Sequence, residues 1–254
     1  MDRNELIARW KAEEEIAHIR GWDFSHIDGK YTEGEGLPWD YRDTIFKYLK
    51  PEMKLLDIDT GGGEFLLSLN HPHANTAAIE AYPPNVQLCR ETLLPLGIDF
   101  QEASADGPLP FENESFDLVL NRHGSFNAEE IRRVLRPGGL FITQQVGADN
   151  DRALVEALYD SPPPIPYSEQ RLSIIQSQFE SVGFTTLDAQ EVFLPIRFFD
   201  IGALVWFARI IEWEFPGFSV EKNLNRLLHL QKRIDAGHAI EADVHRILMV
   251  SQKV

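Results

Sequence analysis

Apolar and polar positions recur with two periods along this chain, and the change from one period to the other marks its elements. From Leu6 to Ile19 the apolar residues Leu6, Ile7, Trp10, Ile16 and Ile19 follow a roughly helical spacing, and Gly21 supplies a stop. Trp22-Asp23-Phe24 comes next and then, after a polar, glycine-bearing stretch, Leu37-Pro38-Trp39-Asp40-Tyr41. Aromatic residues in so loop-like a segment need a surface to pack on, so residues 1–50 are expected to form a helical arm folded back over a main domain. From Met53 onward strand and helix patterns alternate. Strands are expected at 53–58, 76–81, 98–102, 116–121 and 139–146, with helices near 63–70, 84–95 and 127–135, the last closed by Pro137-Gly138-Gly139. A proline-broken connection at Ser161–Pro166 precedes a helix over about 168–182, ended by Gly183. A strand at 184–194 and a final strand, Arg246–Ser251, complete the pattern. Strand and helix in alternation predict a doubly wound α/β domain with a mostly parallel sheet and helices on both faces.

Between those last two strands lies an insertion, 196–243, that reads as mostly helical. Its first part, Phe198 to Phe207, is apolar on nearly all sides and must be covered, either by the domain or by a second copy, which makes a homodimer through 196–243 an open expectation. The domain division expected is therefore an arm (1–50), an α/β domain (51–195 and 244–254) and a helical lid (196–243).

The stretch Lys54 to Leu67 changes the picture from fold to chemistry. An apolar strand ending in an acid, Asp57, runs at once into Gly61-Gly62-Gly63 and an apolar helical pattern. Such a turn brings backbone close to a ligand where side chains would collide, and it aims helix amides there. The lysine and hydroxyl of a P-loop are missing, which points to a nucleoside-type cofactor. The next strand ends in Glu80, an acid placed to accept both hydroxyls of a ribose, whether that of a nicotinamide nucleotide or of S-adenosylmethionine.

Charge narrows the partners. With 24 Lys and Arg against 40 Asp and Glu, the formal net charge is -16 and no basic stripe stands out, so nucleic acid is disfavoured. The single cysteine, Cys89, excludes an internal disulfide or a multi-cysteine zinc site, fits a reducing compartment and reads as a small buried residue on a helix. The charged start Met1–Glu5 is no signal segment and no long uncharged apolar span occurs, so a cytoplasmic protein without membrane spans is expected. His71-x-His73 lacks a third ligand and is weak evidence for metal; none is expected.

Further on, Ala103-Ser104-Ala105-Asp106-Gly107-Pro108-Leu109-Pro110-Phe111 precedes Phe116-Asp117-Leu118-Val119, and Leu135-Arg136-Pro137-Gly138-Gly139 follows. Together with the acid, glycine turn and second acid, these segments make residues 51–147 resemble the class I S-adenosylmethionine-dependent methyltransferases. The resemblance implies about seven strands with an antiparallel last one, and a lid arching over the edge where the methyl group emerges, closing an apolar acceptor pocket with the arm around Trp22 to Tyr41. It further implies that Asp57 orders the turn and helps hold the cofactor's amino group, that Gly61 and Gly63 give close backbone approach, and that Glu80 takes the ribose hydroxyls. Tyr82 would lie against the adenine, Ser104 and Ala105 would meet its edge, and Asn121 would sit beside the methionine part. Two positions depart from the family. Asp59 stands where it has its first glycine, and Ser104 where it often has an acid, with one extra residue in the turn that follows.

The function expected is methyl transfer from S-adenosylmethionine to a small-molecule acceptor by in-line displacement. A sulfonium methyl is already activated, so holding donor and acceptor in line supplies much of the acceleration and a base is not obligatory. Where the acceptor must lose a proton, His123, just past the fourth strand of the parallel domain, is the first candidate. Two other readings stand beside this one. An RNA or protein methyltransferase is disfavoured by the acidic balance and by Leu120-Asn121-Arg122-His123, which is not the signature of base amino methylation; a non-catalytic cofactor-binding protein would explain a glycine turn degenerate at Asp59. An NAD-dependent oxidoreductase gives Phe-Asp-Leu-Val and Pro-Gly-Gly no role.

Overall fold

The structure is a computed structural model that describes residues 2–18, 23–34 and 36–254. In chain order its elements are α1 (Arg3–Ile16), β1 (Tyr31–Glu33), α2 (Tyr41–Phe46), β2 (Leu55–Ile58), α3 (Glu64–Ser68), β3 (Thr76–Glu80), α4 (Pro83–Thr92), β4 (Asp99–Glu102), β5 (Phe116–Arg122), α5 (Ala128–Val134), β6 (Leu135–Val146), α6 (Arg152–Leu158), α7 (Leu172–Ser181), β7 (Phe184–Phe198), α8 (Ile201–Ile210), α9 (Leu224–Asp235) and β8 (Ile240–Lys253). The strands make one eight-stranded sheet in the order β1-β7-β8-β6-β5-β2-β3-β4. Strands β2 to β6 pair in parallel, β8 is antiparallel to β6, and β1 is antiparallel to β7.

The α/β class, the parallel run and the antiparallel last strand are as the sequence predicts. The eighth strand is the difference: Tyr31–Glu33 pairs with Ile196–Phe198. A three-residue strand in a polar stretch carries no hydrophobic alternation and is held by its backbone bonds, so it leaves no pattern to read. The strand β6 likewise starts at Leu135, ahead of Pro-Gly-Gly, with a register shift opposite Phe116 and Leu118.

Contacts divide the chain into two units, and the division departs from the one expected. One comprises Leu37–Gly147, Glu169–Val192 and Arg246–Val254; the other comprises Met1–Gly36, Ala148–Ser168 and Phe193–His245. Residues 37–50 go with the parallel strands and not with an arm, because Trp39, Tyr41 and Ile45 are buried in the same cluster as Leu55, Leu118 and Leu140. In that unit, Leu55, Leu118, Leu120, Ile142 and Leu248 pack on one side of the sheet, and Leu56, Val119, Phe141, Ile247 and Met249 on the other. Burial on both faces is why these strands read as unbroken apolar runs.

In the other unit the uniformly apolar α8 is capped by Asp200, whose carboxylate accepts the Ala203 amide at 3.0 Å, and it packs against α1. Ile201 to Ala208 are all buried within the single chain, alongside Trp10, Phe215, Phe218 and Leu227. The expectation that a second copy covers this face loses its motive: α1, α6 and α9 supply the cover. The expected stop at Gly21 and the aromatic Trp22 lie outside the described residues. Among the described residues, no helix is long and apolar enough to cross a membrane.

Candidate functional site

The direction of winding reverses at β2, which has β3 on one side and β5 on the other. A sheet of this kind opens a crevice at the carboxyl ends of the strands on either side of that reversal. The sequence fills it with the glycine turn. Asp57, the next-to-last residue of β2, is almost wholly buried and accepts the Thr60 hydroxyl at 2.7 Å, while the Thr60 amide donates to the Ile79 carbonyl of β3 at 3.1 Å. Asp59, Gly61 and Gly63 all have positive φ, at 55°, 64° and 85°. A side chain at Gly63 would run into Leu93, whereas a Cβ on Gly61 meets nothing within 4 Å, so the turn faces open space there.

Glu80 holds this turn from β3. One carboxylate oxygen accepts the Gly61 amide at 2.9 Å and the Asn85 side-chain amide at 3.3 Å; the other accepts the amides of Ala81 and Tyr82 at 2.8 and 2.9 Å. The Cys89 thiol donates to the Gly61 carbonyl from below, at 3.1 Å. Burial, and then the charges of Glu80, Glu64 and Asp57, push that thiol up to about 12, so it remains a donor at neutral pH. Both ends of the Gly61 residue are thereby pinned by side chains.

Across the crevice, at the ends of β5 and β6, side chains from distant segments take over. Asn121 is fully buried and donates to the carbonyls of Ile58 and Ser125 at 3.2 and 3.1 Å, which fastens the loop after β5 to the end of β2. The Ser125 amide donates to Asp59 Oδ2 at 3.1 Å, a second strap across the same gap. Tyr41 places its hydroxyl between the carbonyls of Asn121 and Ile142, 3.1 Å from each, and its ring stacks on Phe65, over which the Arg122 guanidinium lies 5.0 Å from the ring centre. The Trp39 indole donates to Gln144 Oε1 at 2.8 Å, and Gln144 Nε2 is 3.2 Å from His123 Nε2.

The electrostatics of the two sides differ. Burial raises Asp57 to about 7, with the Thr60 hydroxyl opposing and Asp59 adding to the rise; burial and the charge of Glu80 raise Asp59 to about 6. His123 moves the other way, to about 4, first because protein surrounds it and then because Arg122 and Arg246 are near. The residue as a whole is nevertheless exposed to solvent.

Residues 56–143, which carry all of these elements except Trp39, Tyr41, Gln144 and Arg246, match a family model described as a methyltransferase domain. Among curated proteins the chain is similar to a probable phthiotriol/phenolphthiotriol dimycocerosates methyltransferase 2 of Mycobacterium ulcerans, 39% identical over 88 residues, which are 32% of this chain and 34% of that protein. It is also similar to a phthiotriol/phenolphthiotriol dimycocerosates methyltransferase of Mycobacterium tuberculosis, 33% identical over 121 residues, 44% of each chain. The matched stretches thus span less than half the length of either relative. Among solved structures, the YcgJ protein of Bacillus subtilis superposes with a TM-score of 0.55 at 21% identity, covering 84% of this chain and 97% of that one, a likeness of fold. Over about a third of its length the chain is thus similar to methyltransferases.

The cradle suits S-adenosylmethionine, the methyl donor that the resemblance implies, on two counts. The open side of Gly61 leaves room for close approach. Asp59 and Glu80 add to the raised proton affinity of Asp57, and Glu80 to that of Asp59, so the negative cradle suits a ligand with a cationic sulfonium and a cationic ammonium.

The residues named from the sequence fall into three groups. Asp57, Asp59, Gly61, Gly63 and Glu80 come together in the cradle. Tyr82 is 62% exposed beside it, and Ser104 lies exposed in the loop after β4. Ala105 is buried in a core cluster with Leu56 and Ile79, and Asn121 spends both its amide protons on backbone carbonyls. His71 and His73 bond the carbonyls of Met53 and Leu96, near the amino ends of β2 and β3 and so at the far edge of the sheet from the cradle. Sequence reasoning placed Trp39 and Tyr41 in an arm over the acceptor pocket without their hydrogen-bond partners, and it missed Gln144 as part of the site and Cys89 as a support for Gly61. The first two stood out as aromatics in a loop, but nothing local tells that they meet strands some 80 to 105 residues away.

Proposed function

We propose that the protein transfers a methyl group from S-adenosylmethionine to a small-molecule acceptor at the carboxyl ends of β2, β3, β5 and β6. The observation that carries this reading is the convergence, within the matched methyltransferase stretch, of an open glycine turn with Glu80 and a cluster of carboxylates at the reversal of the sheet. In this reading Asp57 faces the cationic methionine portion, and Glu80 takes the ribose hydroxyls. The Asn85 contact on Glu80, the longest of four at 3.3 Å, is the one a ribose hydroxyl would replace. Tyr82, exposed beside Glu80, is available to the adenine, with Ser104 and Ala105 at its edge; Asn121 keeps the loop after β5 against the methionine side. The bound cofactor supplies an electrophilic methyl, and the protein's own share is to hold the acceptor in line with it.

The net charge of -16 supports a small acceptor over a nucleic acid. The mycobacterial relatives are named as methyltransferases of phthiotriol and phenolphthiotriol dimycocerosates, which also supports an acceptor other than nucleic acid, but the match covers less than half of each and brings no particular acceptor with it. Calorimetric titration with S-adenosylhomocysteine, with NAD as control, tests the reading. Micromolar binding of the first alone is expected; binding of neither, or of NAD alone, overturns it.

A further inference from the structure

The chain Trp39–Gln144–His123 fixes hydrogen positions by elimination. An indole nitrogen only donates, so the amide oxygen of Gln144 must be the atom 2.8 Å from Trp39 Nε1. The Gln144 amide nitrogen then faces His123 Nε2 at 3.2 Å, and because it only donates, Nε2 must be the acceptor. A neutral imidazole with an unprotonated Nε2 carries its proton on Nδ1. The opposite arrangement would set the Gln144 amide N–H groups against the indole N–H in a buried space, with Trp39 and Gln144 both under 10% exposed. Among the described residues no protein group bonds Nδ1, and His123 is exposed to solvent. Meanwhile the His123 amide donates to the Gln144 carbonyl at 2.9 Å, and His123 sits at a positive φ of 58°, which holds the ring at the end of β5.

We infer that Trp39 and Gln144 are positioning residues that make His123 a hydrogen-bond donor, through Nδ1–H, toward whatever lies at the acceptor side of the crevice. This rests on the proposed function for its biological sense and not for its geometry. His123 then serves an acceptor molecule that offers a lone pair to an N–H. Taking a proton at Nε2 would require breaking the Gln144 bond, so His123 is not the base. Arg122 and Arg246 act in the same sense, since their charges disfavour an imidazolium.

Nitrogen-15 NMR of histidine-labelled protein reads the tautomer directly. For His123 we expect a protonated, pyrrole-type Nδ1 and an unprotonated, pyridine-type Nε2 at pH 7. Gln144→Glu presents acceptors at both ends, so it should move the proton to Nε2 and raise the pH at which the ring titrates. Trp39→Phe frees the amide to turn over and should yield a mixture of the two tautomers. A wild-type spectrum with the proton on Nε2 overturns the inference, as does a Gln144→Glu spectrum identical to wild type. The wild-type measurement needs no variant to fold, and it needs no bound cofactor. Failure of S-adenosylhomocysteine to bind would therefore remove the proposed reaction and leave the tautomer assignment standing, while the reverse pair of results would remove only the role of His123.

Discussion

At the carboxyl ends of β2 and β3 the protein gathers Asp57, Asp59 and Glu80; one strand to the other side of β2 and beyond, around β5, β6 and β8, the nearby charges are Arg122 and Arg246. The first side is built mostly from backbone amides and carboxylates within about 20 residues of one another, as in the bond from Gly61 to Glu80. The second is built from side chains that reach across about 100 residues, as in the bond from Trp39 to Gln144. An acidic cradle attracts a cation and pays for it in mutual repulsion when empty; the opposite side carries donors and arginines and suits a lone pair. A methyl donor that is cationic and an acceptor that is electron-rich would each meet the complementary side.

The sharpest way to break this contrast is Glu80→Ala. It strips the charged acceptor from the amides of Gly61, Ala81 and Tyr82 at once, and each bond to a charged group contributes about 1.5–3 kcal/mol. We expect S-adenosylhomocysteine affinity to fall by roughly 10- to 100-fold by calorimetry, with a lower melting temperature. Unchanged affinity would mean that Glu80 only shapes the turn and does not meet the ligand.

The pH dependence separates the empty cradle from the filled one. Asp57 and Asp59 have folded pKa values near 7 and 6, raised above the unfolded 3.8. Their contribution to stability is thus present below about pH 4 and lost as pH rises through 6 to 7. His123, lowered to about 4 from 6.5, contributes stability that is lost as pH falls from 6.5 to 4, so the two acids and the histidine oppose each other in that window. Above pH 6.5 only the acids act, and the empty protein should lose stability up to about pH 8. A cationic ligand favours the ionised acids, so binding of S-adenosylmethionine should strengthen over pH 5–8, by up to roughly tenfold per unit, with release of protons. Calorimetry in two buffers of different ionisation enthalpy measures that release, and Asp57→Asn should reduce it. Proton uptake on binding would reverse the assignment.

On the other side of the crevice, Tyr41→Phe removes one hydroxyl shared between the Asn121 and Ile142 carbonyls. A loss of about 0.5–1.5 kcal/mol in urea unfolding is expected, with cofactor affinity nearly unchanged. An equal loss in cofactor affinity would show that the two sides are coupled.

The smallest effect should come from Asp59→Gly. The residue sits at φ 55°, a conformation that glycine adopts more readily, and its carboxylate would repel the cofactor's own. It also holds the Ser125 amide. We expect a few-fold tightening of both S-adenosylmethionine and S-adenosylhomocysteine. Weakening of both would make Asp59 a ligand for the ammonium, and weakening of S-adenosylmethionine alone would place it near the sulfonium.

Which side was legible in the sequence follows from these distances. The strand, the turn and the acid of the cradle sit in one continuous stretch from Leu55 to Glu80, and their chemistry is local: positive φ, a close amide, a buried acid. Local chemistry leaves local patterns. The roles of Trp39, Tyr41 and Gln144 depend on which strand lies next to which, and hydrophobic periodicity is silent on that until the sheet order is known. His123 shows the limit from another side. Its position at a strand end was readable, but the atom that carries its proton is set by an indole in a segment that looked like part of an arm.

The way β8 is threaded has a consequence for how this protein comes to be folded. Val146 pairs with Arg246, so closing the antiparallel pair joins residues 100 apart, and the intervening chain holds α6, α8, α9 and their aromatic core. Loop-closure entropy grows only slowly with length, but long-range pairing of this kind is slow to nucleate unless the intervening chain is already ordered. The burial of α8 thus sets a kinetic order. A core that forms early shortens the effective loop and lets β8 find β6, whereas a variant that loosens it, such as Trp206→Ala, should slow completion of the sheet even though no residue of the cradle has been touched.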